Sequence, residues 1–104
     1  MAERLARKVA ATKAGVIAMT RELALEGGPH NIRANSISPA IIESPATAAQ
    51  LQRPGLREGH LESPMLKRIG TAADVASAAL FLASDESGWV TGANLLIDGG
   101  LSAH

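Results

Sequence analysis

Few side chains in this 104-residue sequence could carry chemistry. It has no cysteine, which excludes a disulfide scaffold, thiolate catalysis and zinc–thiolate sites. It also has no tyrosine, so no phenol is present to donate or accept a proton. The three histidines, His30, His60 and His104, lack the spacing that would place two of them on one helix or in one hairpin. We therefore expect no metal site.

Charge excludes further classes of function. Ten lysines and arginines balance ten aspartates and glutamates, so no overall field attracts nucleic acid or an anionic membrane. Arg4, Arg7, Lys8 and Lys13 form either a solvated helix start or a local basic patch. Because aromatic residues make up only 2% of the sequence, base stacking has no support. We expect no nucleic-acid partner.

Hydropathy argues against a membrane partner. No apolar run approaches the roughly 20 residues that a transmembrane helix needs. The basic residues near the start are not followed by the apolar segment of a secretory signal. Together with the absence of cysteine, these features favour a cytoplasmic location.

The first predicted element is a helix from Ala2 to Glu26, which is rich in helix-forming residues and free of proline. Gly27-Gly28-Pro29 ends it, because glycine permits a left-handed turn and proline cannot continue a helix. Apolar residues lie on more than one side of this helix, which indicates two packing partners. One would be a sheet, and another subunit is a candidate for the second.

The middle of the chain is predicted to be less regular. Residues Ile32 to Ser38, bounded by prolines, indicate a strand. The segment 39–70 contains four prolines, and we expect a short helix at Ala46–Leu51 within an otherwise mobile loop. A loop this long in a compact domain usually serves a function.

The last third predicts one helix and one strand. Thr71 to Asp74 has the pattern of a capping box that begins a helix, and Asn94 to Ile97 is a short strand closed by Asp98-Gly99-Gly100. The order helix, strand, loop, helix, strand predicts an α/β fold, an αβαβ slice of a Rossmann-type, doubly wound parallel sheet. The connection between the two strands would be a right-handed crossover.

Four stretches, taken in order, resemble the short-chain dehydrogenase/reductase family. Residues 10–20 are similar to the helix that carries the family's Tyr-x-x-x-Lys pair, and residues 31–39 are similar to the strand that follows it. The family's penultimate helix is matched by Arg68-Ile69-Gly70 with residues 74–76 and 81–85. The family's ending is matched by Val90-Thr91-Gly92 with Asp98-Gly99-Gly100. The resemblance implies that residues 1–104 are the C-terminal part of such a domain. The family's Gly-rich turn and catalytic serine have no counterpart here.

The resemblance assigns one catalytic position, Lys13. In the family this lysine lowers the pKa of a tyrosine one helical turn earlier and holds the nicotinamide ribose. Lys13 matches the lysine, but Val9 stands where the tyrosine would be. Valine has no proton to transfer, so we expect Lys13 to retain at most an inherited cofactor contact. The alternative for Lys13 is an ordinary solvated helix lysine.

The resemblance also implies cofactor contacts after the predicted strand. Pro39 to Ser44 is similar to the family's Pro-Gly-x-Ile/Val-x-Thr turn, whose aliphatic backbone and threonine hydroxyl bind the nicotinamide carboxamide. Pro39, Ile42 and Ser44 match by position, and serine can replace threonine as a hydrogen-bond donor. Ala40 replaces glycine, which matters if that position requires a positive φ. The alternative is an ordinary proline turn.

The implied function is therefore NAD- or NADP-dependent oxidation or reduction of an alcohol/carbonyl pair. We expect the chain alone to be inactive and to bind the cofactor weakly. The alternative is a non-catalytic oligomerisation or interaction module derived from the family. The expected partners are further copies of the chain or the missing N-terminal half of the fold.

Overall fold

The computed structural model describes residues 2–45, 47–62 and 65–103, with the side chains of all of these except 2, 3 and 60–62. Helix α1 spans Ala2–Gly27 and is followed by a 3-10 turn at Gly28–His30. This confirms the predicted first helix, which ends one residue later than expected. Asn31 has a φ of 57° and closes the turn by donating its N–H to the carbonyl of Gly28 at 3.0 Å.

Two parallel strands form the centre of the fold. Strand β1 (Ser36–Pro39) pairs with β4 (Asn94–Ile97), with Ser36 opposite Asn94 and Pro39 opposite Ile97. The side-chain oxygen of Asn94 accepts hydrogen bonds from the hydroxyls of Ser36 and Ser38 at 2.9 and 2.8 Å. The parallel pairing confirms the predicted α/β slice.

The first strand is shorter than predicted, because it begins at Ser36 and not at Ile32. The N–H of Ile32 donates to the carbonyl of Gly27, so this residue still belongs to the exit of α1. Arg33 and Asn35 use their side chains to bind the segment 84–93. The four residues 32–35 therefore form a connector outside the strand ladder, held chiefly by side chains and by a main-chain hydrogen bond from the N–H of Gly92 to the Ala34 carbonyl at 2.7 Å.

The segment 39–70 is more regular than the predicted loop. It contains the two-residue strand β2 (Ile42–Glu43), helix α2 (Ala48–Leu51) and helix α3 (Leu56–Glu62). Strand β3 (Gly70–Thr71) pairs in parallel with β2. The short helix predicted at Ala46–Leu51 is present from Ala48, while Ala46 itself lies outside the described residues.

Helix α4 spans Ala72–Ala83 and begins with the predicted capping box. The Thr71 hydroxyl accepts from the N–H of Asp74, and the Asp74 carboxylate accepts from the N–H of Thr71. Helix α4 contacts both β1 and β4, and α1 contacts β1. Each strand of the central pair is thus covered by helix, as parallel strands require.

The hydrophobic core is small. Among the described residues, only Leu51 and Ile69 are buried large apolar side chains. Leu25 and Leu80 are each 71% exposed, and Trp89 is fully exposed. The radius of gyration is 15.9 Å, compared with about 13 Å for a compact domain of this size. None of the described helices is long and apolar enough to span a bilayer.

Candidate functional site

A cleft of about 330 Å³ lies where β1 and β4 end. Its walls come from residues 40–42, which follow β1, and from residues 98–100, which follow β4. Leu66, Arg68 and Asp74 close it on another side. Open α/β sheets bind their ligands at the carboxyl ends of parallel strands, so this cleft is the candidate site.

The turn after β1 is held in an unusual conformation. Ile41 has a φ of +46°, although a β-branched side chain disfavours this left-handed region. Its carbonyl accepts a hydrogen bond from the N–H of Gly70 at 3.1 Å. The positive φ that we considered for Ala40 therefore occurs one residue later. Strain of this kind persists only where the surroundings fix it, and it is common at ligand sites.

Thr47 organises the two predicted carboxamide contacts, Ile42 and Ser44. The Thr47 hydroxyl donates to the Ile42 carbonyl at 2.7 Å and accepts from the N–H of Ser44 at 2.9 Å. The Thr47 hydroxyl has a single proton, which it directs to the Ile42 carbonyl. In the 3.2 Å contact between the Thr47 and Ser44 hydroxyls, Ser44 is therefore the donor. The Ser44 hydroxyl is thus left with acceptor capacity. Sequence analysis missed Thr47, although its spacing of three from Ser44 is a turn signal.

An ion pair forms the opposite wall. Arg68 donates from both terminal nitrogens to the Asp74 carboxylate, at 2.7 and 3.0 Å. The hydrogen bond from Arg68, followed by the one from the Thr71 N–H, holds the pKa of Asp74 well below its usual range. Arg68 was part of the family resemblance, but its pairing with Asp74 was not predicted. The pair fixes the segment before α4 against the start of that helix.

The position to which the resemblance assigned catalysis is not part of the lining of this cleft. Lys13 lies on α1, is exposed, and makes no ion pair among the described residues. Val9 lies one turn before it and is 45% exposed. Neither residue lines the cleft, and neither does Pro39 or Ser44, whereas Ile42 does. The structure therefore brings Ile42, Ser44 and Thr47 together and leaves Lys13 separate.

Polar residues outside the cleft have other roles. Asn35, directly before β1, donates to the carbonyl of Val90 and accepts from the N–H of Ala93, both at 3.0 Å. Its side chain therefore satisfies backbone groups of the segment that leads into β4. No metal-binding cluster occurs among the side chains that are described. The side chains of His60 and His104 lie outside that set, and the expectation of no metal site stays a prediction.

Comparison with known proteins identifies the family. The chain matches the family model described as enoyl-(acyl carrier protein) reductase over residues 3–102. It is 48% identical over 92 residues to 3-oxoacyl-(acyl-carrier-protein) reductase FabG of Thermotoga maritima, a match that covers 88% of this chain and 37% of the relative.

Solved structures agree with this assignment. A 4-hydroxyisoleucine dehydrogenase complexed with NADH superimposes with a TM-score of 0.86 at 35% identity, over 90% of this chain and 39% of that one. A putative 2-deoxy-D-gluconate 3-dehydrogenase from Agrobacterium tumefaciens with bound NADP gives 0.85 at 37% identity, over 90% and 38%. The chain spans little more than a third of the length of these relatives. With a family model matched across nearly all of its residues, the chain belongs to the short-chain dehydrogenase/reductase family.

Proposed function

We propose that this chain supplies the C-terminal, nicotinamide-facing part of an NAD- or NADP-dependent oxidoreductase domain acting on an alcohol/carbonyl pair. We propose further that it does not turn over substrate alone. The observation that carries this proposal is the cleft at the ends of β1 and β4, with Ile42 in its wall. The cysteine-free sequence suits a reducing compartment, so we place this function in the cytoplasm.

The described residues fit one end of such a cofactor. The cleft is large enough for a nicotinamide ring, and main-chain groups near Ile42 could bind the carboxamide. Ser44 does not itself line the cleft, but it lies two residues beyond Ile42, and its hydroxyl has acceptor capacity for a carboxamide NH₂ that reaches past Ile42. Bound NAD(P) would supply hydride transfer chemistry, while these residues would only orient the ring.

The phosphates have no matching site among the described residues. Phosphate groups in this kind of fold sit at the N-terminus of a helix. The N-terminus of α4 is already occupied by the Asp74 carboxylate, which would repel a phosphate. Helices α2 and α3 have only 4 and 7 residues. Affinity for the whole dinucleotide should therefore be low.

Proton transfer is the second missing function. A positioned general acid contributes roughly 10²–10⁴-fold in rate, and Val9 has no proton to give. Lys13 is too exposed to be held in a fixed position by its described neighbours. The chain could hold a nicotinamide ring without reducing or oxidising a substrate.

Two measurements test this proposal. We expect no NAD(P)H oxidation with a panel of ketones, either by the chain or by its Val9→Tyr variant. Steady turnover of roughly 1–10³ per second by the unmodified chain would contradict the proposal. In ¹H–¹⁵N NMR titrations, nicotinamide mononucleotide should shift the backbone signals of Ile42 and Ser44, and ADP-ribose should shift neither. Ser44→Ala should weaken the nicotinamide response, and Ser77→Ala is the matched control at an exposed site on α4 outside the cleft.

A non-catalytic association module is the second candidate function. The observation that favours it is the exposure of every described side chain from Arg4 to Val16 on α1. A helix with so much apolar surface in water needs a partner. Association that is unchanged by NAD, NADP or nicotinamide mononucleotide would favour this candidate over a cofactor-binding role.

A further inference from the structure

Thr47 stands at the start of α2 but does not cap that helix with its side chain. A threonine at this position usually accepts a hydrogen bond from a backbone N–H two or three residues later, and no such bond is made here. The hydroxyl is turned back instead, toward Ile42 and Ser44 in the segment before the helix. Its hydrogen bonds therefore serve the turn beside the cleft and not the helix.

Distances fix the direction of the Thr47 hydroxyl proton. The Thr47 oxygen lies 2.7 Å from the Ile42 carbonyl and 3.4 Å from the Ser44 carbonyl, and hydrogen bonds between a hydroxyl and an oxygen are normally roughly 2.5–3.0 Å long. The Ser44 carbonyl also accepts already from the N–H groups of Thr47 and Ala48, at 3.1 and 2.8 Å. The proton therefore goes to Ile42.

Strand β3 sets the position of Ile42. Ile42 is opposite Gly70 in the short parallel pair, and the N–H of Gly70 donates to the carbonyl of Ile41 at 3.1 Å. A Cβ added at Gly70 would lie only 2.6 Å from Cδ1 of Ile42, so these two residues are packed as closely as a glycine permits. The Thr47 proton is thus aimed at an acceptor that the sheet holds in place.

The consequence for Ser44 is a fixed polarity. Its N–H and its hydroxyl both lie within hydrogen-bond distance of the Thr47 oxygen, at 2.9 and 3.2 Å. Once the hydroxyl proton is directed to Thr47, the Ser44 oxygen offers only lone pairs. Within the part of the chain that the structure describes, this hydroxyl makes no other hydrogen bond. A ligand group that meets Ser44 is therefore bound best when it brings its own N–H.

Charge in the cleft also favours a neutral ligand group over a carboxylate. Asp98 lines the cleft and accepts from the N–H groups of Gly100 and Ser102, but no cation pairs with it among the described residues. Asp74, in contrast, is paired with Arg68. A comparison of ligands that is meant to test hydrogen bonding must therefore keep the charge of the ligand constant.

Building on the nicotinamide site proposed above, we propose that Thr47 is a positioning residue that makes this site selective for a carboxamide. Thr47 does not touch the ligand. It acts through the hydroxyl relay, in which Ser44 donates to Thr47 and Thr47 donates to the Ile42 carbonyl, and which leaves Ser44 as an acceptor. The relay favours a ring substituent with an N–H donor over one that can only accept. One net hydrogen bond between neutral groups corresponds to roughly 5-fold in affinity.

Three pyridine mononucleotides with neutral ring substituents test the proposal on the intact chain. The nicotinamide compound carries both a carbonyl and an NH₂ group, the thionicotinamide compound keeps the NH₂, and the 3-acetylpyridine compound replaces the NH₂ with a methyl group. Binding is followed by ¹H–¹⁵N NMR at Ile42 and Ser44. We expect the acetylpyridine compound to have a dissociation constant roughly 5-fold higher than that of either amide.

Variants of Thr47 connect this selectivity to the hydroxyl relay. Thr47→Val removes the hydroxyl at nearly the same side-chain shape and frees the Ser44 proton, so it should abolish the difference between the ligands. Thr47→Ser keeps a hydroxyl and should retain the difference. Thr12→Val, at an exposed site on α1 whose hydroxyl bonds only to Lys8, is the matched control.

A measurement without ligand checks the relay itself. In Thr47→Val the N–H of Ser44 loses its acceptor, so its proton signal should move to lower frequency. The signals of β1 and β4 should stay in place, which shows that the fold is retained. An unmoved Ser44 signal would contradict the relay.

The ligand series separates this proposal from the proposed function. Equal affinity of the unmodified chain for all three compounds would overturn the selectivity and leave the nicotinamide site standing. A difference that persists in Thr47→Val would overturn the role of Thr47. Weak binding of the thionicotinamide compound would also overturn the proposal, because the substituent's oxygen and not its NH₂ would then decide affinity. No response to any of the three would overturn the proposed function, and this proposal with it.

Discussion

Two regions of this chain differ sharply in how they are held. The connector 32–35 is tied to residues 84–93 by a polar clamp, formed by Arg33 and Asn35 with the side chain of Ser87 and the carbonyls of residues 84 and 90. Ser87 is only 1% exposed. The first half of α1, in contrast, has exposed side chains throughout. The polar groups of the connector find hydrogen-bond partners within the chain, whereas the side chains in the first half of α1 are not buried within it.

The difference shows which interactions can form within a chain that spans little more than a third of its relatives' length. Hydrogen bonds of the polar clamp join segments that are both present, so each donor and acceptor finds its partner here. Burial of an apolar helix face needs a continuous second layer, and β1 and β4 are too short to provide it for the whole of α1. The polar clamp should therefore determine the stability of the chain.

Removing Arg33 should have the largest effect on stability. Its guanidinium donates to the Ser87 hydroxyl at 2.9 Å and to the carbonyls of Val90 and Ser84 at 3.2 and 3.0 Å. Hydrogen bonds from charged groups contribute roughly 1.5–3 kcal/mol, so Arg33→Ala should lower the free energy of unfolding by about that amount. Urea unfolding followed by circular dichroism, at one fixed protein concentration, measures it.

Arg33→Lys sharpens this prediction. Lysine carries a single ammonium in place of the planar fork, so it cannot reach three acceptors in the same geometry. We expect an intermediate loss of stability. Arg53→Ala should leave the free energy of unfolding unchanged, and a loss as large as that of Arg33→Ala would show that charge, and not the polar clamp, is responsible.

The cap of α4 should contribute less. Thr71→Ala removes the hydroxyl that accepts from the N–H of Asp74, and loss of an N-cap costs about 1 kcal/mol. Thr71→Ser keeps the hydroxyl and should retain most of the stability. An equal loss in both variants would mean that the Thr71 methyl group, and not the cap, stabilises the helix.

Sequence patterns predicted the parts of the fold that depend on neighbouring residues. The end of α1 at Gly27-Gly28-Pro29, the capping box at Thr71 and the strand Asn94–Ile97 all follow local rules and are confirmed. The predicted start of the first strand at Ile32 was wrong, because the side chains of Arg33 and Asn35 bind residues more than 50 positions away in the chain. No local pattern reports such a partner.

In the candidate site, too, features set by neighbouring residues were predicted and features set by distant residues were not. The resemblance pointed to Ile42 and Ser44, and the structure places both beside Thr47, although their contact with nicotinamide stays a prediction. The positive φ of Ile41 and the pairing of Arg68 with Asp74 were missed. Both depend on β3 meeting β2 across an irregular segment, which the four prolines of residues 39–70 had suggested to be a loop.

The smallest predicted effect is a pH dependence that comes from Asp74. The pKa of Asp74 is lowered in the folded chain, chiefly by the hydrogen bond from Arg68. In an unfolded chain an aspartate has a pKa of roughly 3.9. A lowered folded pKa means that the folded state favours the carboxylate. The stabilisation is therefore complete above roughly pH 4 and decreases as the pH falls through the folded pKa.

Asp74→Asn should flatten this part of the stability curve, whereas Asp85→Asn, at an exposed position outside the ion pairs described, should leave it unchanged. Asp98, whose pKa is also lowered, chiefly by Ser102 and then by the N–H of Gly100, should keep some acid sensitivity in the Asp74→Asn chain. If that chain loses stability below pH 4 as steeply as the unmodified one, the Arg68–Asp74 pair contributes nothing measurable, as is common for exposed ion pairs.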